Sequence, residues 1–276
     1  MATPGPVGSI FRDWRRRRHL SQLELSLSAD ISARHLSFIE TGRSQPSREM
    51  VLHLAERLDV PLRQRNELLL AAGYAPAFPE RSIDDPALAS AREAIERLLT
   101  AHEPYPAVAI DRHWNVVSAN RATAPLIECV APKLREPPVN VLRNSLHPEG
   151  LAPKIGNLPE WRAHLLSRLR RQIDLVGDPV LIELLSELLS YPLPKGADPP
   201  SEHLRSPVVP MRLRLPMGTL NLISTTMVFG TPLDVTLSEL ALETFFPADA
   251  ETAALLRRLS GAERTTTPRV LPPLNG

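Results

Sequence analysis

The apolar residues of the first eighty positions recur at helical spacing, and capping residues divide them into short segments. Ser21 and Ser32 are typical N-caps, while Gly42 and Gly73 are typical residues for the end of a helix. Together these signals predict five short helices that pack as a compact all-α domain over residues 10–74.

The second and third predicted helices, 22–28 and 32–41, are separated by a turn of three residues. A turn of about this length sets two helices at roughly 90–120°, so that the second projects from the surface. We expect Leu36 and Ile39 of the second helix to face inward. The residues of its outward side are then Ala33, Arg34, Ser37 and Phe38.

Arg34 is the one long charged side chain on this outward side, since the other side chains there are shorter. Such a helix can enter a DNA major groove, which is about 12 Å wide. Arginine matches the O6 and N7 atoms of guanine through two parallel hydrogen bonds. The pattern therefore predicts DNA binding, and the alternative is a small helical interaction domain in which Arg34 is merely solvated.

Basic residues are concentrated at the start of the chain. Residues 1–48 contain eight Arg, no Lys and four acidic residues, a net charge of +4, whereas the remainder has a net charge of −3. A basic head on a mildly acidic body indicates an anionic partner for the head. The signal is weak alone, because a run such as Arg15 to Arg18 more often forms a solvated helix face.

Beyond residue 80 the pattern changes from helical to mixed. β-prone and amphipathic runs alternate in an order that predicts an antiparallel sheet with helices on it. The chain would thus combine an all-α domain with an α+β domain. Strands are predicted over 107–110, 116–118, 208–215, 219–229 and 240–246, and helices over about 120–130, 158–176, 179–190 and 249–259.

The sequence contains no HExxH, GxSxG or phosphate-binding glycine motif, so we predict no catalytic residue, no metal ligand and no cofactor. Its one cysteine, Cys129, excludes an intramolecular disulfide. No stretch approaches roughly 18 consecutive apolar residues, and the start has no apolar signal core. These features predict a soluble cytoplasmic protein. The alternative from another class is an enzyme domain with an autoregulatory DNA-binding head.

One segment, LSQLELSLSADISARHLSFIETGRSQPSREMVLHLAERLDV, resembles the helix-turn-helix of the XRE/Cro/C1-type transcriptional regulators. The similarity covers residues 10–73 and implies a regulator that binds double-stranded DNA. Two residues depart from the family pattern. Ser26 replaces the usual Ala at the tightest helix contact, and Asp30 replaces the usual Gly in the turn. Serine is nearly as small as alanine, and aspartate tolerates left-handed geometry.

The same resemblance implies roles for individual residues. Gln22, Arg43 and Ser44 would contact the phosphate backbone, which positions the protein on the duplex. Glu40 would pair with Arg15 on the first helix and act structurally rather than as a base reader. The residues that would face base edges are Ser32, Ala33, Arg34, Ser37, Phe38 and Thr41.

Three further segments resemble the C-terminal ligand-binding domain of the MmyB-like actinobacterial regulators: YPAVAIDRHWNVVSAN, SLHPEGLAPKIGNLPEWRAHLLSRLRRQ and FGTPLDVTLSELALETFFPAD. That domain is PAS-like, and the resemblance implies a small lipophilic ligand such as a fatty acid. Core packing is the alternative role for each side chain that we expect to line a ligand pocket. These side chains are Trp161, Leu165, Thr225, Phe229 and Phe246.

These inferences divide the chain into five parts. We expect a disordered N-terminus over 1–9, the helix-turn-helix domain over 10–74, and a linker with a connecting helix over 75–103. The PAS-like domain would span 104–260, and a disordered tail would span 261–276.

The expected assembly is a homodimer. One helix-turn-helix module buries roughly 600–1,000 Å², which is seldom enough to select a site in a genome. A two-fold dimer would read an inverted repeat with its reading helices about 34–36 Å apart. Residues 80–276 would supply most of the dimer contact, and a bound ligand would change operator affinity. Alternatively, the C-terminal domain only dimerises and senses nothing.

Overall fold

The computed structural model describes residues 6–193 and 208–260, and the expected tail over 261–276 lies outside them. Five helices form the first part of the described chain, which confirms the predicted all-α domain. They are α1 (Pro6–Arg17), α2 (Gln22–Ser28), α3 (Ala33–Glu40), α4 (Arg48–Arg57) and α5 (Leu62–Ala71).

Helix α1 begins earlier than predicted, so residues 6–9 are helical and the expectation of a disordered segment is wrong for them. Val7 is buried there, and Gly8 lies directly against α3. A Cβ on Gly8 would come within 2.3 Å of the Ile39 carbonyl oxygen. Glycine disfavours a helix interior when it is judged alone. Here the close approach of α3 requires a residue without a side chain.

The five helices enclose one hydrophobic core, in which Phe11 and Leu36 are fully buried. Helix α2 contributes Leu25 to this core, whereas its Leu23 and Leu27 are 60% and 71% exposed. Only one side of α2 is therefore covered by the rest of the domain.

The described residues beyond α5 form an antiparallel five-stranded sheet with flanking helices, which confirms the predicted fold class. The strands are β1 (Ala107–Ile110), β2 (Val116–Ala119), β3 (Met211–Leu215), β4 (Gly218–Val228) and β5 (Ala241–Pro247), and the helices are α6 (Ala89–Ala101), α7 (Ala124–Ile127), α8 (Val141–Leu146), α9 (Leu158–Val176), α10 (Pro179–Ser190), α11 (Val235–Ser238) and α12 (Ala250–Leu259).

The strand order is β2-β1-β5-β4-β3, so β5 lies in the middle of the sheet although it follows the other strands in the chain. It runs antiparallel to β1, with Thr244 opposite Ala107. On its other side, the Thr226 hydroxyl of β4 donates a hydrogen bond to the Glu243 carboxylate at 2.7 Å. Strand β5 thereby joins two hairpins that would otherwise be separate.

The described chain divides into two compact units that are discontinuous in sequence. The first contains residues up to Glu93 together with Leu166–Leu189 and Val228–Leu240. The second contains Ala94–Leu165 and the rest of the described chain. The helical domain thus folds together with two segments from the C-terminal half, and the domain boundaries drawn from the sequence stay predictions.

Candidate nucleic-acid interface

Side-chain caps define the starts of α2 and α3. The Ser21 hydroxyl accepts the Glu24 N–H at 3.1 Å, while the Glu24 carboxylate accepts the Ser21 N–H at 2.7 Å. At the start of α3, the Ser32 hydroxyl accepts the His35 N–H at 3.1 Å. Between the helices, Asp30 has a φ of 51°, a left-handed conformation that aspartate tolerates. Residues close in sequence therefore set the direction of α3.

Helix α3 is held by one fully buried edge. Leu36, Ile39 and Glu40 are all 0% exposed, so the helix cannot rotate about its axis without uncovering them. The opposite edge lies at the surface. It carries the residues predicted to face base edges, all of them exposed or half-buried: Ser32, Ala33, Arg34, Ser37, Phe38 and Thr41.

The two predicted phosphate contacts that follow α3, Arg43 and Ser44, lie in the turn after the helix. Gly42 opens this turn with a φ of 71°, a left-handed value that glycine adopts without strain. Arg43 is exposed and Ser44 is half-buried. The structure therefore brings the turn and the surface edge of α3 together on one side of the domain.

Glu40 is the centre of a buried hydrogen-bond network. Arg15 on α1 donates from Nε to Oε1 at 2.6 Å and from Nη2 to Oε2 at 2.8 Å. Gln22 on α2 donates from Nε2 to Oε2 at 2.7 Å, and Arg12 donates to the Glu40 carbonyl oxygen at 2.9 Å. The ion pair that the resemblance implied is present in the structure, and it ties three helices together.

Charge and hydrogen bonding keep Glu40 ionised. Burial alone would raise the pKa of this carboxyl, but the hydrogen bonds from Arg15 and Gln22 and the positive charges of Arg15 and Arg12 outweigh burial and lower the pKa. The hydrogen bond to Glu40 in turn raises the pKa of Arg15. A carboxyl with a lowered pKa stabilises the folded state at neutral pH and stops doing so in acid.

Gln22 has a second partner besides the phosphate predicted for it. One of its two amide N–H groups donates a hydrogen bond to the Glu40 carboxylate, and no local sequence pattern predicts this bond. The side chain is half-buried at the start of α2. Its contact with DNA stays a prediction.

The basic run at the end of α1 is only partly a solvated face. Arg15 is bound to Glu40, and Arg18 donates to the carbonyl oxygens of Leu58 and Asp59 at 2.8 and 2.9 Å. Two of the four consecutive arginines therefore hold the helical domain together. The general expectation for such a run is wrong for these two residues.

The side chains predicted to line a ligand pocket are distributed over several elements. Trp161 and Leu165 are buried on α9, and the indole N–H of Trp161 donates to the Ser145 hydroxyl at 2.9 Å. The other three are Thr225 on β4, Phe246 on β5 and Phe229, which belongs to the first compact unit. Phe246 is 42% exposed. A ligand contact at any of the five stays a prediction.

A cavity of about 550 Å³ lies elsewhere, between α5 and the segment 76–80. Its lining residues include Arg63, Leu70, Phe78 and Glu80 and none of the predicted pocket residues. Its volume falls within the range of roughly 300–1,000 Å³ that is typical of small-molecule sites.

Glu243 is a buried acid in the middle of the sheet, only 4% exposed, and is not among the residues predicted from the sequence. It lies in a run of mostly apolar residues on β5, where alternation predicts a strand but does not indicate which polar side chain faces inward. Across residues 6–193 and 208–260, no group of three or more His, Cys, Asp or Glu is placed to hold a metal ion.

Among the helices that the structure describes, none combines the length and the apolar character needed to cross a membrane.

Two family models match the chain. Residues 11–64 match a helix-turn-helix model, and residues 91–259 match the model of an MmyB-like transcription regulator ligand binding domain. A relative in Bacillus subtilis (strain 168), the uncharacterized HTH-type transcriptional regulator RghRB, is 35% identical over 101 residues. These cover 36% of this chain and 64% of that protein, which is less than two thirds of its length. Both resemblances stated from the sequence are confirmed by the family models.

Replacing Glu40 with Gln should destabilise the full-length chain by about 3 kcal/mol at neutral pH, because it leaves a largely covered arginine without its counter-ion. Arg15 is only 11% exposed in the pair. The difference between the two proteins should be complete above the unfolded-state pKa, about 4.5, and should shrink as the pH falls through the lower folded-state pKa. Urea unfolding between neutral and acidic pH measures it.

The matched control is Glu49→Gln, which changes an exposed acid in the first turn of α4 and should lower stability by less than about 1 kcal/mol, the contribution of such a charge to the helix dipole. If Glu40→Gln unfolds like the wild type while its preference among DNA duplexes shifts, then Glu40 reads bases and its structural role is refuted.

Proposed function

Because the chain belongs to the MmyB-like transcription regulators, we propose that it binds an inverted-repeat operator as a homodimer and that a small lipophilic ligand changes this binding. Family membership itself makes the chain a DNA-binding transcription regulator with a ligand-binding-type domain. It also favours regulation over the alternative of an enzyme domain. The operator, the ligand and the dimer are our additions.

The observation that best supports DNA binding is that α3 is held in one orientation about its own axis. Its inner edge is locked by two apolar residues and by the paired charge of Glu40. Its surface edge presents Arg34, with Arg43 in the turn that follows. In our proposal Arg34 reads a base, while Arg43, together with Gln22 and Ser44, positions the protein on phosphates.

A homodimer is proposed because one reading helix selects too little sequence. Helix α10 buries Leu181 and Leu184 in its own chain, yet Ile182 and Leu189, which lie seven residues apart on one side of the helix, are 50% and 46% exposed. Leu175, near the end of α9, is 51% exposed as well. We assign the side of α10 that carries Ile182 to a second copy of the chain, because neighbouring exposed apolar side chains mark an interaction surface.

Ligand control is proposed because the helical domain is tied to the segment that leads into the sheet. Arg63 on α5 donates to both carboxylate oxygens of Glu239 at 2.7 and 2.8 Å, and to Glu80 at 2.6 Å. The hydrogen bond to Glu239 is the largest cause of the raised pKa of Arg63. Beside this pair, the Val235 N–H donates to the Pro79 carbonyl oxygen at 2.9 Å.

The ion pair between Arg63 and Glu239 matters for ligand control because Glu239 lies close to the sheet. It lies two residues before Ala241, where the central strand β5 begins. In the pair, Arg63 and Glu239 are each less than one-fifth exposed, so solvent screens them only partly. A ligand that shifts β5 would therefore strain or release a bond on α5, the last helix of the DNA-binding domain.

The alternative within the same family is a regulator whose C-terminal domain only dimerises. The cavity against α5 does not decide between the two, because it is not lined by the predicted pocket residues. The chemical class of the ligand rests on the resemblance alone, so a fatty acid is one candidate to be tested.

Arg34→Ala should weaken binding to a duplex selected by the wild-type chain from a random library by about 1–3 kcal/mol, with little effect on a shuffled duplex. Arg43→Ala should weaken binding to both and reduce the salt dependence by about one phosphate contact. Affinities measured over a range of salt concentrations test this. Equal losses for Arg34→Ala on the selected and the shuffled duplex would refute base reading.

Ile182→Glu should convert the dimer to a monomer in sedimentation experiments, because a charge cannot be buried unpaired in an apolar contact. The wild-type chain should protect two half-sites about one DNA turn apart, and the variant should protect them far more weakly. Glu183→Gln, an exposed neighbour, is the control. A variant that stays dimeric would show that another surface joins the copies.

Mass spectrometry of the full-length chain should detect a lipophilic compound released on denaturation. Adding that compound, or straight-chain fatty acids, should change affinity for the selected duplex by about 5–150-fold, the usual range of allosteric coupling. Arg63→Met should reduce this change while ligand binding remains, and Arg48→Met is the exposed control. If no compound is released and none alters duplex affinity, the non-sensing alternative is correct.

A further inference from the structure

Phe38 lies on the surface edge of α3, and two arginine side chains lie over its ring. The Cζ atom of Arg34, four residues earlier on the helix, is 5.3 Å from the centroid of the Phe38 ring. The Cζ atom of Arg43, in the turn after the helix, is 5.9 Å from the same centroid. Both distances fall within the roughly 6 Å range of a cation–π interaction. One ring therefore contacts two cations.

The backbone of Phe38 supports the second of these arginines. Its carbonyl oxygen accepts the N–H of Arg43 at 2.8 Å and the N–H of Ser44 at 3.1 Å. The left-handed turn at Gly42 brings the chain back over the end of the helix. Arg43 is thus anchored to Phe38 through its main chain as well as through its side chain.

Contact with the ring leaves the arginines able to bind DNA, because a guanidinium has five N–H donors and a cation–π contact uses none of them as a hydrogen bond to an acceptor atom. Glu40, the buried acid of the same helix, is already bound to Arg15 and does not compete. An exposed arginine loses rotamer freedom when it binds a partner, and one that lies over a ring has lost part of that freedom beforehand.

We propose that Phe38 is a positioning residue, whose ring orders Arg34 for a base and Arg43 for a phosphate so that the two act as one unit. This inference rests on the proposed DNA-binding function and makes base reading and phosphate contact depend on each other. It differs from the expectation that the Phe38 ring itself faces a base edge, where it would touch a thymine methyl group.

The experiment uses the full-length chain, a duplex that the wild type selects from a random library, and a shuffled duplex of the same composition. Phe38→Leu keeps an apolar side chain without a ring, and Phe38→Tyr keeps the ring. We expect Phe38→Leu to bind the selected duplex about fivefold more weakly, because binding must then order two arginine side chains that the ring had partly ordered beforehand. Phe38→Tyr should bind and melt like the wild type, and Phe38→Leu should melt only a few degrees lower, because exposed cation–π contacts contribute little to folding.

A mutant cycle then separates positioning from direct contact. In a chain that already carries Arg34→Ala and Arg43→Ala, Phe38→Leu should have less than about a twofold effect, because the ring has no arginine left to order. A full fivefold loss in that background would overturn the proposal and indicate a direct contact between the ring and DNA. Equal losses for the leucine and tyrosine variants would overturn it too.

A measurement without DNA separates this proposal from the proposed function. Side-chain NMR signals of Arg34 and Arg43 should be shifted upfield by the ring in the wild type and in Phe38→Tyr, and the shift should be lost in Phe38→Leu. Such shifts in a chain that selects no duplex would support the ring contacts and refute the DNA-binding function. Wild-type signals without an upfield shift would refute the role of Phe38.

Discussion

The orientation of α3 depends on one buried carboxylate. Glu40 has no exposed surface, and a buried charge of this kind is tolerated only when it is paired and hydrogen-bonded. Its partners come from two other helices, Arg15 on α1 and Gln22 on α2. An apolar contact alone would permit α3 to slide or rotate by small amounts. A carboxylate that accepts three directional hydrogen bonds prevents such movement. The buried edge of α3 therefore determines the direction in which its surface edge faces.

Signals between neighbouring residues made the helical domain predictable. Ser21 and Ser32 each cap a helix through a bond to a residue three positions later, so the sequence pattern contains both partners. Arg15 and Glu40 are 25 residues apart, and their pairing followed only from the resemblance. The sequence pattern places Gly8 outside the first helix. A glycine is needed there because the backbone of α3 lies too close for a Cβ atom, and no local pattern reveals that contact.

In the C-terminal half, alternation predicted the strands but not their neighbours. Nothing within Ala241–Pro247 indicates that this strand separates β1 from β4. Arg63 and Glu239 are 176 residues apart, and in the sequence each is an ordinary charged residue. Residue type and the predicted elements favour the five pocket residues, but they do not indicate which of these residues lie close together in the fold. The structure assigns Phe229 and Trp161 to different compact units, a placement that depends on tertiary contacts.

The central position of β5 in the sheet sets the order in which parts of the chain can fold during translation. Synthesis delivers β1 to β4 first, so the inner edges of both hairpins stay unpaired until residues 241–247 have left the ribosome. The ion pair between Arg63 and Glu239 likewise cannot form until residue 239 has been synthesised. The bonds around Glu40, by contrast, need only the first forty residues. The bonds that fix the direction of α3 can therefore form on the nascent chain well before the sheet can close.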